Sequence, residues 1–197
     1  MKAAIGKAAA LALLAALGGC VSLGGGKPPA ELLTLSVARP ASGGEMITGK
    51  SQDAIMVMEP ETDKRLAALR VPVRIDAARV AYIKDAVWVE RPSRLFRDLL
   101  AESLRAKGNR LVLQDDQPAG PVGTRLAGRL LELGYDPATG AVVARYEALL
   151  TNDKGVLATR RFEASAPVAN TKPEVIGPAL NKAANDVVGQ VMVWLAS

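Results

Sequence analysis

The single cysteine of the chain, Cys20, is the residue whose setting points most directly to chemistry. It follows Leu17, Gly18 and Gly19, and one aliphatic residue, two small residues and a cysteine are typical of the bacterial lipobox. In that motif the thiol receives a diacylglyceryl group as a thioether, and a peptidase then cleaves ahead of the cysteine. We therefore predict that Cys20 is the lipidation site and the first residue of the mature chain.

Residues 1–19 have the three parts of a lipoprotein signal peptide, which supports this prediction. Lys2 and Lys7 form a basic start, and small residues precede the cysteine. The apolar run over 8–17 is shorter than the ~20 residues that span a bilayer. The alternatives are an ordinary signal peptide with an incidental cysteine, or a cysteine buried in a core.

The Gly- and Pro-rich stretch over 20–30 is typical of a flexible tether, and residues 31–197 are predicted to form a single periplasmic domain. Val21 follows the cysteine, where an Asp favours retention at the inner membrane in enterobacteria. We therefore expect a lipid anchor in the outer membrane, with the domain facing the periplasm.

The composition excludes several classes of function. The chain has no histidine and one cysteine, so it cannot build a Ser–His or Cys–His nucleophile or a zinc site of His and Cys ligands. Its net charge of +5 is mild and its aromatic residues are few, which does not favour a nucleic-acid interface. It contains no GxxxxGK[ST] phosphate loop.

Two pairs of carboxylates have residue types suited to acid–base or metal chemistry. Asp98 and Glu102 share one face of a predicted helix, and Asp115 and Asp116 are adjacent. Without a third group, a solvated helix face and a turn are the favoured interpretations. We therefore expect no catalytic residue, no metal site and no cofactor.

Hydrophobic periodicity predicts an α+β fold. Strand-like runs cover 31–37, 54–60, 78–85 and 110–114, and an antiparallel meander covers 124–136, 141–151 and 156–168. Helices are predicted over 92–108 and 173–196. The expected domain has two layers: a mostly antiparallel sheet of about five strands, with two helices on one face.

The helix over 92–108 is the most clearly amphipathic element. Its apolar side comprises Leu95, Phe96, Leu99, Leu100 and Leu104. Its polar residues are assigned to the opposite, solvent-facing side: Arg94, Arg97, Asp98, Glu102 and Arg105.

The order of these parts resembles the ABC-type transport auxiliary lipoprotein family. A lipobox and tether precede "LLTLS" and "IMVMEP", and "LRVPVRIDAARVAYIKDAVWVERPSRLFRDLLAESL" follows before the meander and the last helix. The most specific part runs from Arg79 to Leu104: a Tyr in a strand, a Trp shortly after it, Arg-Pro, and a Leu-rich helix.

The resemblance implies a non-enzymatic, outer-membrane-anchored subunit of an MCE-type ABC lipid-transport system. Such a subunit would act as an adaptor between the periplasmic conduit and the outer membrane. Its partners would be an MCE-domain periplasmic protein with its permease and ATPase, and the membrane through the anchor on Cys20; homo-oligomers are possible. The alternative is a structural or assembly lipoprotein of the outer membrane or cell wall.

Three residues are candidates for contact with a partner or a lipid: Tyr82, Trp88 and Arg91. For Tyr82 and Trp88 the alternative is packing between helix and sheet, with their polar atoms bonded at the edge. For Arg91 the alternative is an ordinary surface arginine beside a helix start.

Overall fold

The computed structural model describes residues 31–44, 46–108, 110–117, 119–155 and 157–197. The predicted signal peptide over 1–19, the tether over 20–30 and Cys20 lie outside the described residues.

The described part of the chain contains seven strands and two α-helices. A short 3-10 helix, Ser51–Asp53, precedes the first strand. The strands and helices follow in this order: β1 Ile55–Val57, β2 Arg70–Arg74, β3 Val80–Val87, α1 Pro92–Ala106, β4 Val112–Gln114, β5 Thr124–Asp136, β6 Ala141–Asn152, β7 Leu157–Pro167 and α2 Pro173–Trp194.

Strand β5 lies at the centre of one mixed sheet. One edge of β5 pairs with β6 along its length, and β6 pairs with β7, both antiparallel. The other edge is shared by two short strands: β1 pairs parallel with the start of β5, and β2 pairs parallel with its end. Beyond them, β4 pairs parallel with β1 and β3 pairs antiparallel with β2.

The predicted α+β class and the meander are confirmed, but the predicted sheet is corrected. It has seven strands within the described residues, where about five were expected, and it is mixed, where mostly antiparallel pairing was expected. The parallel strands β1, β2 and β4 have only three to five residues each. Short apolar runs of this kind carry no signal of strand direction, because direction depends on distant partners.

Both helices pack on the same face of the sheet, as predicted. Tyr146 and Phe162 are cross-strand neighbours on β6 and β7. The ring of Phe96 from α1 lies 5.1 Å from that of Tyr146, and the ring of Trp194 from α2 lies 5.6 Å from that of Phe162. The core therefore lies between these helices and this face. None of the described helices is long and apolar enough to cross a membrane.

The segment over 31–37 docks onto the domain without forming the predicted strand. Leu33 makes one parallel bridge to Trp88: its N–H donates to the carbonyl of Val87, and the N–H of Val89 donates to the carbonyl of Leu33. Further along, Ser36 is held by the side chain of Asn181 on α2. This places the start of the described chain beside the end of β3.

Near the end of strand β3, the side chains that point to the core change from odd-numbered to even-numbered residues. Ile83 is buried while Tyr82 and Lys84 are exposed, as the alternation of side chains along a strand requires. Asp85 then adopts a left-handed conformation with φ 62°, and the next buried residue is Ala86. Between the pairs Pro72–Tyr82 and Arg70–Val87 the register advances by two residues on β2 and by five on β3, so β3 carries three extra residues there. An odd number of extra residues reverses the alternation of the strand, as a β-bulge does. The bulge brings Trp88 to the core side.

Candidate partner-contact surface

Trp88, the first of the predicted contact residues, belongs to the core. Its residue surface is 1% exposed, and its backbone N–H donates to the carbonyl of Leu69. The indole Nε1 has no hydrogen-bond partner among the described residues, so the expected bond at the edge is not seen. Val89, the next residue, and Leu32, beside its bridge partner Leu33, are more than half exposed.

Tyr82, the second predicted contact residue, lies at the surface. It is 38% exposed, and its hydroxyl donates to the carbonyl of Arg65 at 3.4 Å, a long hydrogen bond. Val80 and Ile75, near the turn between β2 and β3, are each 46% exposed. The hairpin formed by β2 and β3 therefore presents an apolar tip that a partner could cover.

Arg91, the third predicted contact residue, occupies the cap position immediately before α1. Its guanidinium lies 3.6 Å from a carboxylate oxygen of Glu59 and 3.8 Å from one of Glu90. Its side chain is 50% exposed, so these ion pairs are solvated and weak. Arg91 is therefore available to a partner that brings a carboxylate or phosphate.

The structure does not bring the three residues into one pocket. No hydrogen bond, ion pair or ring contact joins Tyr82, Trp88 and Arg91 within the described part of the chain. They follow one another from the hairpin to the start of α1, with Trp88 inward and the other two outward. We call Ile75, Val80, Tyr82 and Arg91 the hairpin–helix surface; Tyr82 and Arg91 in it are predicted contact residues, and Ile75 and Val80 are included because they are exposed apolar side chains.

A buried arginine that the sequence assigned to solvent organises the adjoining polar region. Arg97 on α1 is 4% exposed. Its guanidinium pairs with Asp115 at 2.8 Å, Asp116 at 2.9 Å and Asp98 at 3.0 Å. Asp115 also accepts the backbone N–H of Glu59 at 2.8 Å. Arg97 thereby ties α1 to the turn after β4 and to the segment after β1.

The carboxylates considered for chemistry are used in these structural contacts. Asp98 accepts hydrogen bonds from Arg97 and Gln114, and Glu102 accepts the backbone N–H of Ala41. Asp115 and Asp116 form a turn, as predicted. The described residues contain no group of three His, Cys, Asp or Glu side chains that could hold a metal ion.

Electrostatics explains why Arg97 and Asp115 remain charged. Burial by itself would lower the pKa of Arg97, but the hydrogen bonds to Asp115 and Asp98 raise it above its usual value. Burial would raise the pKa of Asp115, but the N–H of Glu59 and the guanidinium of Arg97 hold it below its usual value. The adjacent acidic residues Asp115 and Asp116 are the trace of this network in the sequence, because two neighbouring carboxylates can neutralise a buried arginine such as Arg97.

We predict that acid lowers the free energy of unfolding by protonating carboxylates that are paired with arginines in the fold, such as Asp115 and Glu163. The pKa of Asp115 is lowered in the folded chain, and so is that of Glu163, mainly through the hydrogen bond from Arg145. As pH falls, the unfolded state therefore binds more protons than the folded state. The contribution of these carboxylates to the free energy of unfolding is complete above their unfolded pKa values of about 4, and it is lost as pH falls through their lower folded pKa values. Denaturant unfolding at pH 7, 5, 4 and 3 should show the loss beginning near pH 4.

The variant Asp115→Asn supplies the control for this pH dependence. Its free energy of unfolding should already be lower at pH 7 and should fall less steeply between pH 5 and 3 than that of the wild type. Identical slopes for the two proteins would show that Asp115 does not contribute.

Comparison with known proteins identifies the fold and the family. The model of the family described as the ABC-type transport auxiliary lipoprotein component matches residues 34–192. No sequence among the curated proteins matches the chain.

Two solved structures are similar to the chain over most of its length. The protein XCC0632 from Xanthomonas campestris, of family DUF330, has 16% sequence identity and a TM-score of 0.66, and the match covers 83% of this chain and 92% of that one. An uncharacterized protein also has 16% identity, with a TM-score of 0.63, and the match covers 84% of this chain and 99% of that one. At these identities the likeness concerns the fold alone. The family match spans the described domain almost from end to end, and the chain belongs to the ABC-type transport auxiliary lipoprotein family.

Proposed function

We propose that the protein is a non-enzymatic adaptor of an MCE-type ABC lipid-transport system. In this proposal a lipid on Cys20 holds the protein in the outer membrane, and the domain faces the periplasm, where it contacts an MCE-domain protein. The permease and ATPase of the same system would lie at the inner membrane. The family match over residues 34–192 is the observation that carries the proposal.

The structure supports a binding role through its surface. The paired carboxylates of the sequence make contacts within the fold: Glu102 accepts the N–H of Ala41, and Asp115 pairs with Arg97. The hairpin–helix surface instead offers exposed apolar side chains at Ile75, Val80 and Tyr82, together with the cation of Arg91. This combination suits contact with another protein, which buries apolar area and pairs the arginine.

The decisive experiment maps the periplasmic partner to residues. A photo-crosslinking amino acid is placed at Tyr82 or at Arg91 in cells, with Lys154, an exposed residue of the turn between β6 and β7, as the matched control position. We expect crosslinks to an MCE-domain protein from positions 82 and 91 and none from position 154. Crosslinks to a cell-wall or outer-membrane assembly protein instead would favour the structural or assembly lipoprotein and contradict the transport role.

A second prediction concerns the anchor. Cys20→Ala removes the thiol that would carry the lipid, so the protein should stay unprocessed or should leave the outer-membrane fraction. The measurement is membrane fractionation combined with the mass of the mature protein. Cys20→Ala protein that still fractionates as a mature lipoprotein would show that the lipobox interpretation is wrong.

A further inference from the structure

Strand β7 has one edge without a neighbouring strand among the described residues. The N–H of Val168 donates to the carbonyl of Gly140, and the antiparallel register of β6 and β7 continues from that pair. Hydrogen-bonded pairs alternate along an antiparallel ladder, so the even-numbered residues of β7 bond to β6. The N–H and C=O groups of odd-numbered residues such as Thr159 and Arg161 therefore point away from the sheet, towards the free edge.

We propose that this edge pairs antiparallel with β7 of a second copy of the chain, about a two-fold axis at Phe162. This inference goes beyond the proposed transport role and does not depend on it. With the axis at Phe162, the outward-facing positions pair as follows: Leu157 lies opposite Pro167 of the second copy, Thr159 opposite Ser165, and Arg161 opposite Glu163. The pair of Leu157 and Pro167 forms one hydrogen bond, because proline has no N–H. An isologous interface requires a surface of this kind that complements itself.

Charge selects this register over its neighbours. An axis at Arg161 would place that arginine directly opposite its own copy, and an axis at Glu163 would do the same for two carboxylates. Like charges directly opposite across strands are destabilising. The axis at Phe162 lies between them and gives two arginine–carboxylate pairs.

The same residues already belong to a row of alternating charges on the face away from the helices. Arg161 pairs with Glu147 at 2.5 Å, and Glu163 pairs with Arg145 at 2.5 Å. Pairing about Phe162 continues this row into the second copy with the signs still alternating. The exposed side chain of Leu157, 70% accessible, would be covered at the end of the same strand.

One side chain competes with the second copy for the edge. Gln190 on α2 donates from Nε2 to the carbonyl of Glu163 at 2.9 Å. In the paired state that carbonyl is also the acceptor for the N–H of Arg161 from the second copy, so Gln190 competes for the same oxygen. Gln190 therefore weakens the association, as expected for a group that guards an edge strand.

Sedimentation equilibrium of the full chain, in density-matched detergent, tests the proposal. The wild-type mass should rise with concentration to twice that of the chain. Thr159→Pro removes an outward N–H that the intramolecular ladder does not use, a position where edge strands tolerate proline, and should leave a folded monomer. Thr159→Ala is the matched control, because it shortens the side chain, retains the N–H and should dimerise like the wild type.

Two further variants make the outcome specific. Gln190→Ala should strengthen dimerisation by about tenfold, because each copy loses one competing hydrogen bond. Arg161→Glu places a carboxylate opposite Glu163 of the second copy and should abolish dimerisation. This variant tests the interface independently of whether Thr159→Pro folds. A wild type that is monomeric at every concentration, or an Arg161→Glu protein that dimerises like the wild type, would overturn the proposal and leave the transport role untouched.

Discussion

Replacing Arg97 with methionine should destabilise the domain by about 3 kcal/mol, which is the low end of the cost of breaking a buried ion pair. Methionine retains much of the buried volume but leaves Asp115 without its cation, beside the N–H of Glu59. The cost stays at the low end because the side chains of Asp98 and Asp116 are half exposed and regain water. Urea unfolding at pH 7 measures the change.

Two controls separate the buried charge from its surroundings. Asp116→Asn removes an exposed partner and should cost less than about 1 kcal/mol. Arg97→Lys retains the charge but lacks the planar fork that reaches several carboxylates, so its stability should lie between those of the wild type and Arg97→Met. A methionine variant as stable as the wild type would show that the network contributes no stability.

Trp88→Ala should cost about 3–5 kcal/mol, the usual range for deleting a large aromatic core side chain. The indole is nearly inaccessible and belongs to the hydrophobic core, so its removal opens a cavity there. Trp88→Phe should cost less than half as much, because it fills part of the volume and removes a buried Nε1 that has no partner among the described residues.

Tyr82→Ala is the matched control for this measurement. Tyr82 lies on β3, which ends immediately before Trp88, but it is 38% exposed with only a long hydrogen bond, so its removal should cost about 1 kcal/mol. Equal losses at positions 82 and 88 in urea unfolding would contradict the assignment of Trp88 to the core. Comparing Trp88→Ala with Tyr82→Ala also distinguishes an effect on stability from an effect on binding, since Tyr82→Ala should retain the fold while weakening the predicted partner contact.

Elements with long, regular periodicity were predictable from the sequence. The helix over 92–108 and the meander have one dominant apolar face or a clear turn between strands, and α1 and β5 to β7 lie where expected. Residues 31–37 were not predictable in the same way. Their alternation is that of a strand, but only Leu33 meets β3, while Ser36 is bound by α2.

The position of Arg97 shows why parts of the polar region could not be predicted. Helical periodicity assigns a charged residue to solvent, because burying a lone charge is costly. Arg97 is buried because Asp115 and Asp116 approach it from the turn after β4, and that approach depends on tertiary packing. Trp88 is a similar case: the bulge at Asp85, which reverses the alternation of β3, has no clear signal in the sequence.

The bridge between Leu33 and Trp88 has a mechanical consequence under the proposal that the chain is anchored through Cys20. A force on the N-terminal side enters the domain at Leu33, whose two backbone hydrogen bonds to the end of β3 would be loaded first. After the segment over 31–37 detaches, the next hydrogen bond to a side chain of the domain is the one that the backbone N–H of Ala41 donates to Glu102. Each residue released adds roughly 3.3–3.6 Å of contour. The distance between the domain and its membrane anchor would thus increase under tension while the sheet stays intact.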